Sequence, residues 1–210
     1  MNSSTQKFEI AGSAGVIEGL IDEPADVPAD QWRGTAVIAH PHPLFGGTMD
    51  NKVVQTMARG FVQTGWRAVR FNFRGVGGSA GVHDNGAGEL QDMLAVVAHA
   101  GGSGPLALAG FSFGAFVTSH ALAALSASEP AKVVLVGTAA SRFSVAPVAQ
   151  AFHDRTLVLH GEQDDTVPLS DVMDWARPQS LPVTVVPGGG HFFHGQLPLL
   201  RSLVVRHLMA

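Results

Sequence analysis

The chain has 210 residues, of which 46% are hydrophobic and 14% charged, and it carries a formal net charge of −4. This length predicts one domain over residues 1–210, and the composition excludes a disordered chain or a long charged coiled coil. The small negative charge gives no reason to expect nucleic acid or a membrane as partner, and the lack of cysteine excludes disulfides, thiolate metal sites and cysteine nucleophiles.

The first thirty residues are predicted to form a hairpin followed by a connector. The loose alternation in "KFEIAGSAGVIEGLID" indicates two antiparallel strands that turn near Gly12 to Gly15, and "DEPADVPADQWRG" is a polar connector. The segment "MNSSTQKFEI" contains no apolar stretch of signal-peptide length, so we expect a cytoplasmic protein.

Six short apolar runs follow, and each has the length of a strand. They lack alternation, which is typical of strands buried on both faces of a parallel sheet. The runs are 35–40, 67–73, 105–111, 132–138, 156–161 and 183–188.

Amphipathic segments between these runs predict five helices. The first is capped by Thr48 and runs to about Thr64, and the others are Glu89–Ala100, 113–126, Val167–Ala176 and Gly195–Leu208. Strands that alternate with helices predict an α/β fold with a mostly parallel sheet of about eight strands, flanked by helices.

Two stretches match G-x-S-x-G, the turn that presents a serine nucleophile at the end of a strand. Ser112, in "GFSFG", follows an apolar strand and directly precedes a helix, as this turn requires. Ser79, in "GGSAG", lies instead in a long glycine-rich loop with no helix behind it. Ser112 is therefore the predicted nucleophile, and Ser79 is not.

A serine nucleophile needs a base and a carboxylate, which this kind of fold places in loops after later strands. The base candidates are His191 and His194, and His191 is preferred because the glycine run before it permits close approach to the nucleophile. The loop "EQDDTVP" offers Glu162, Asp164 and Asp165 as the acid. Strand geometry alone does not choose among these three.

From residue 34 to 207 the chain resembles the α/β-hydrolase superfamily, and most of all its small lidless bacterial serine hydrolases. The resemblance is carried by "HPHPLFGGTMDNKVV", "FNFRGVGGSAG", "GFSFG", "HGEQDDTVP" and "GGGHFF", in that order. It implies an α/β-hydrolase fold in which the second acidic position of the "HGEQDDTVP" loop, Asp164, is the catalytic acid. Asp165 is then expected to organise the turn before Pro168.

An oxyanion hole would combine the N–H of Phe113 with one from "HPHPLFGG". Pro41 and Pro43 have no N–H, which leaves His42 and Leu44. The similarity of "HPHP" to the H-G-x-P form of related hydrolases implies the His42 amide.

The substrate of such a site is predicted to be a small acyl compound, an ester or thioester. Only about 17 residues separate Thr138 from Thr156, which leaves no room for a cap domain. Leu44, Phe45 and Phe192 are the predicted substrate-binding residues, with Phe143 and Phe193 as further aromatic candidates.

Two other functions stay open. The same triad could cleave amides as a peptidase or amidase, for which an acidic clamp on a substrate amino terminus would be the sign. The fold could also serve as a non-catalytic binding protein. We expect no cofactor and no metal, because the pairs His40/His42 and His191/His194 have no third ligand at metal-site spacing. The sequence predicts no oligomeric state.

Overall fold

The computed structural model describes residues 3–25, 27–100, 104–125 and 130–210. Residues 1, 2 and 26 of the predicted hairpin and connector lie outside these ranges, as does the predicted end of the third helix at residue 126. Eight strands form one sheet: β1 (Ser3–Gly12), β2 (Gly15–Pro24), β3 (Gly34–Ala39), β4 (Trp66–Phe71), β5 (Leu106–Phe111), β6 (Lys132–Val136), β7 (Thr156–Gly161) and β8 (Val183–Val186).

The strands lie in the order β1-β2-β4-β3-β5-β6-β7-β8. The predicted hairpin is confirmed: β1 pairs antiparallel with β2 and turns between Gly12 and Gly15, and β2 pairs antiparallel with β4. From β4 to β8 every pairing is parallel. The carboxyl ends of β3, β5, β6, β7 and β8 therefore meet at one edge, where open α/β sheets place their sites.

Within the described ranges, five α-helices cover the two faces: α1 (Lys52–Gln63), α2 (Ala87–Ala100), α3 (Phe113–Ala124), α4 (Leu169–Ala176) and α5 (Leu197–Met209). Alternate residues of each strand point to opposite faces. In β3, Ala36 and Ile38 pack in the core under α1 and α5, whereas Val37 and Ala39 pack in the core under α2, α3 and α4. The predicted α/β-hydrolase fold is confirmed.

Four predicted helix starts are wrong. The second helix, α2, begins at Ala87 and not at Glu89. Thr48 does not cap α1: Oδ1 of Asn51 accepts from the amide of Val53 at 2.9 Å, whereas Thr48 accepts from Asp50 in the preceding turn. The fourth helix begins after Pro168, which is its N-cap. The last helix begins at Leu197, because a turn with Phe193 at φ 51° and Gly195 at φ 76° precedes it.

The connection from β6 to β7 contains one 3₁₀ segment, Gln150–Arg155, and no further helix or strand. Residues 137–155 are all described, and they form no cap. The edge where the carboxyl ends of the strands meet is therefore open to solvent above Ser112.

Candidate active site

Ser112 occupies a strained turn between β5 and α3. Its backbone has φ 56° and ψ −116°, a conformation that residues with a Cβ rarely adopt. Glycines on both sides make the turn possible: a Cβ at Gly110 would lie 2.3 Å from the carbonyl oxygen of Gly114, and one at Gly114 would lie 2.4 Å from that of Ala39. The turn aims the serine hydroxyl away from the sheet, beside the first free amides of α3.

His191 and Asp164 complete a chain of hydrogen bonds that begins at this serine. The Oγ of Ser112 lies 3.0 Å from Nε2 of His191, and Nδ1 of His191 lies 2.7 Å from Oδ2 of Asp164. All three residues are buried. His191 follows β8 and Asp164 follows β7. A Cβ at Gly161 would lie 2.3 Å from the carbonyl oxygen of Gly189, so glycine lets the two loops approach.

Asp164 also shapes its own loop. Its second oxygen, Oδ1, accepts from the amides of Thr166 at 2.9 Å and Val167 at 2.7 Å. Burial opposes ionisation, but the hydrogen bonds from His191 and Val167 outweigh it and lower the pKa of Asp164 below its ordinary value. Asp165 was expected to organise this turn, but Asp164 makes the bonds to the backbone amides, whereas the carboxylate of Asp165 accepts from the hydroxyl of Thr166 at 3.4 Å.

Ser79 has a structural role. Its Oγ donates to the carbonyl of Asn72 at 2.7 Å and accepts from the amide of Glu18 at 3.1 Å. The side chain is buried, and it ties the glycine-rich loop after β4 to strand β2. The second G-x-S-x-G match therefore secures a loop.

His42 lies in the loop after β3, and Phe113 directly follows Ser112 at the start of α3. Phe113 is the first residue of its helix, so its amide has no acceptor within the helix. The amide of Leu44 donates to Nδ1 of His42 at 3.2 Å and is thus already engaged. The rings of His42 and Phe113 lie 5.0 Å apart.

His40 holds the loop that carries His42. Its Nε2 accepts from the amide of Phe73 at 3.0 Å, so the ring proton is on Nδ1, which donates to the carbonyl of Pro41 at 2.6 Å. Burial lowers the pKa of His40 to about 4, which keeps the ring neutral. The carbonyl of Pro41 and the N–H of His42 belong to one peptide plane, so this bond also sets the direction of the His42 amide.

A second histidine–carboxylate pair lies behind His42. Nδ1 of His83 is 2.8 Å from Oε1 of Glu89, and the rings of His42 and His83 are 4.7 Å apart. The buried Glu89 accepts from the amides of Asp84 and Gly86 and so caps the start of α2. Burial and His83 lower the pKa of His42, so this imidazole stays neutral.

A cleft of about 360 Å³ opens beside Ser112 and His191. Phe45, Phe143 and Phe192 line it, but the structure does not bring Leu44 there, and the side chain of Leu44 is 70% exposed. Phe193 is fully buried in the core, because φ 51° turns it away from the cleft. His194 is exposed and lies before the last helix.

Several residues that line the cleft were not predicted from the sequence. They are Asn51, Ala139, Arg142, Thr166 and Val167. Each follows the carboxyl end of a strand by several residues, and that position is the signal that could have identified them.

Metal ligation has no support in the part of the chain that the structure describes. It contains no group of three or more histidine, aspartate or glutamate side chains placed to hold an ion. Both ring nitrogens of His40 are engaged with backbone groups.

Within the described ranges, no helix combines the length and apolar character needed to span a bilayer.

The sequence of this chain is similar to those of known proteins. The model of the X-Pro dipeptidyl-peptidase (S15) family matches residues 24–145. An uncharacterised protein of Rickettsia prowazekii is 30% identical over 181 residues, which cover 75% of this chain and 71% of that protein.

Several solved structures share the fold along the whole chain. A serine hydrolase without a lid from Xanthomonas campestris is 35% identical, with a TM-score of 0.86, over 100% of this chain and 95% of that one. A serine hydrolase homologue from Coxiella burnetii is 39% identical, with a TM-score of 0.81, over 97% of both chains. Est1E from Butyrivibrio proteoclasticus, solved with ferulic acid bound, is 18% identical with a TM-score of 0.80, over 96% of this chain and 98% of that one, and shows the shared fold.

Proposed function

We propose that this chain cleaves a small carboxylic ester or thioester. The chain belongs to the X-Pro dipeptidyl-peptidase (S15) family and is a serine hydrolase of the α/β-hydrolase fold. The proposal rests on the hydrogen-bond chain Ser112–His191–Asp164. Ser112 and His191 of this chain line a cleft that no cap covers.

In the proposed mechanism, His191 takes the proton of Ser112 as Oγ attacks the acyl carbonyl. Asp164 holds Nδ1–H of His191 and stabilises the imidazolium that forms. His191 then gives the proton to the leaving alcohol or thiol, which leaves an acyl group on Ser112. Water that His191 deprotonates attacks this acyl-enzyme. The bond between the acyl carbon and Oγ then breaks, the acid departs, and His191 returns the proton to Oγ of Ser112.

The amides of Phe113 and His42 are the proposed oxyanion donors. The free first-turn amide of α3 and the engagement of Leu44 with His42 Nδ1 support this pair over one that includes Leu44. Such donors act on the charge that develops in the transition state, and the loss of one typically costs about 10²–10³ in rate.

The family match favours a second candidate, release of dipeptides from peptide amino termini. A peptidase of this kind needs a carboxylate to bind the substrate ammonium group. Among the described residues that line the cleft none is acidic, whereas Arg142 is cationic. The cleft therefore favours an ester or thioester over a free amino terminus.

Paired substrates test the proposal. We expect hydrolysis of para-nitrophenyl butyrate and of its thioester analogue, with much lower kcat/KM for butyryl para-nitroanilide and for glycyl-prolyl para-nitroanilide. A higher kcat/KM on glycyl-prolyl para-nitroanilide would establish the peptidase instead. Failure to cleave all four substrates would favour a binding protein. Ser112→Ala controls for contaminating hydrolases.

A further inference from the structure

Arg142 stands at the rim of the cleft in the loop after β6. Its backbone is fixed by a turn: the amides of Arg142 and Phe143 both donate to the carbonyl of Ala139, at 3.3 and 3.1 Å. The ring of Phe143 stacks on that of Phe116, with 4.7 Å between centroids, and anchors the turn to α3. The side chain of Arg142 is thus presented from a held backbone position.

The charge of Arg142 is not balanced by the protein. Elsewhere arginines pair with carboxylates, as Arg70 does with Asp22 and Arg74 with Asp92. Over the described ranges the guanidinium of Arg142 has no ion pair and no side-chain hydrogen bond. The chain carries a net charge of −4, but no acidic residue is among those that line the cleft with Arg142.

The other side chains that line the cleft are neutral, so Arg142 is the permanently charged residue among them. Asn51, Thr166 and the three phenylalanines are neutral. His42 is also held neutral: burial and His83 lower its pKa, Arg142 adds in the same direction, and Glu89 opposes them. The amino-terminal end of α3 adds a partial positive charge beside Ser112. Arg142 is therefore the side chain of permanent charge among the residues that line the cleft.

We propose that Arg142 binds an anionic group of the substrate, a carboxylate or phosphate separated from the scissile carbonyl by a short apolar spacer. The inference rests on the proposed ester or thioester hydrolase function. A planar guanidinium offers paired N–H donors that match a carboxylate or phosphate, and the phenylalanines that line the cleft suit the spacer. The anion is carried either by the acyl part or by the leaving group.

Esters that differ only in charge test the proposal. Para-nitrophenyl hydrogen adipate carries an acyl carboxylate, and its methyl ester is the neutral match. Para-carboxyphenyl butyrate carries the carboxylate on the leaving group, and its methyl ester is again the match. Para-nitrophenyl ε-aminocaproate supplies a cationic acyl chain. We expect wild-type kcat/KM for one of the two anionic esters to exceed that of its methyl ester about fivefold or more, with the preference reduced at high salt.

Variants at residue 142 separate a specificity role from a structural one. Arg142→Gln should remove the anionic preference, so that each anionic ester and its methyl ester are cleaved with nearly equal kcat/KM. Arg142→Glu should reverse the preference in favour of the ammonium ester. Arg206→Gln, which removes an exposed arginine of α5 far along the chain from the cleft loops, should behave as the wild type.

Two results would overturn the inference: equal hydrolysis of the anionic and methylated esters by the wild type, or an equal loss on all esters in Arg142→Gln. Its failure is distinct from failure of the proposed function. If only the inference fails, Ser112-dependent hydrolysis of neutral esters persists without charge discrimination. If the proposed function fails, the wild type cleaves none of the esters.

Discussion

Nε2 of His160 lies 3.5 Å from Oδ2 of Asp164, the carboxylate oxygen that also accepts from His191. The His160 ring is fully buried, and its Nε2 is 2.9 Å from the carbonyl oxygen of Val167. Burial lowers its pKa, so it supports the Asp164 loop as a neutral ring. The acid is therefore held from three directions: by His191, by the amides of its own turn and by the packing of His160.

Asp164→Asn should lower kcat by about 10³–10⁴-fold, because an amide at this position cannot hold Nδ1–H of His191 and stabilise an imidazolium. The measurement is steady-state hydrolysis of para-nitrophenyl butyrate. Asp165→Asn is the matched control, since the carboxylate of Asp165 forms one hydrogen bond with the described residues, to the hydroxyl of Thr166, and it should keep kcat within about twofold. An equal loss in both variants would contradict the assignment of Asp164.

Acid should destabilise the fold through His40. Its pKa is about 4 in the folded protein and 6.5 when unfolded, so the unfolded chain binds the proton first. The stability from the neutral ring is complete above pH 6.5 and is lost as the pH falls towards 4, by roughly 3 kcal/mol at pH 4. His40→Gln should remove this dependence, as measured by urea unfolding between pH 7 and 4.

The exposed His194 provides the control for that series. His194→Gln should retain the wild-type slope of unfolding free energy against pH, because this side chain is exposed and is not part of the buried core. If His40→Gln also kept the full slope, the buried neutral ring would not be the source of the acid sensitivity.

The serine turn should reject a methyl group at Gly114. A Cβ there would lie 2.4 Å from the carbonyl oxygen of Ala39, so Gly114→Ala must displace either α3 or the loop after β3. We expect a loss of about 2 kcal/mol or more in unfolding free energy and a large drop in kcat. Gly104→Ala, whose Cβ would have only Gly34 Cα within 4 Å, at 3.8 Å, should be nearly neutral in both. A stable, active Gly114→Ala would show that the turn tolerates a wider approach.

Ser79→Ala should separate stability from activity. The variant loses two hydrogen bonds and leaves the Asn72 carbonyl and the Glu18 amide without their partner, at a cost of about 1–3 kcal/mol. Thermal unfolding reports the loss, and kcat on para-nitrophenyl butyrate should stay close to that of the wild type. A fall in kcat without any loss of stability would mean that Ser79 takes part in the reaction.

The sequence predicted the sheet because its strands are apolar on both faces and its helices are amphipathic, and both patterns are local. The placement of Ser112, Asp164 and His191 at strand ends followed from the same patterns together with the family resemblance. In the structure His191 lies within hydrogen-bond distance of both Ser112 and Asp164.

What the sequence did not predict depends on contacts between distant segments. Thr48 and Asn51 are both suitable helix caps, and the chain path after β3 selects Asn51. Phe192 and Phe193 are alike in sequence, but positive φ at Phe193 sends one ring to the cleft and the other to the core. Arg142 reaches the cleft because β6 lies next to β5, an order that no local pattern encodes.

Intact-mass spectrometry after treatment with a fluorophosphonate tests the central claim most directly. The account predicts a single phosphonyl adduct on the wild type and on Ser79→Ala, and none on Ser112→Ala, provided that circular dichroism shows each variant folded. An adduct that persists on folded Ser112→Ala, or that disappears only in Ser79→Ala, would contradict Ser112 as the nucleophile.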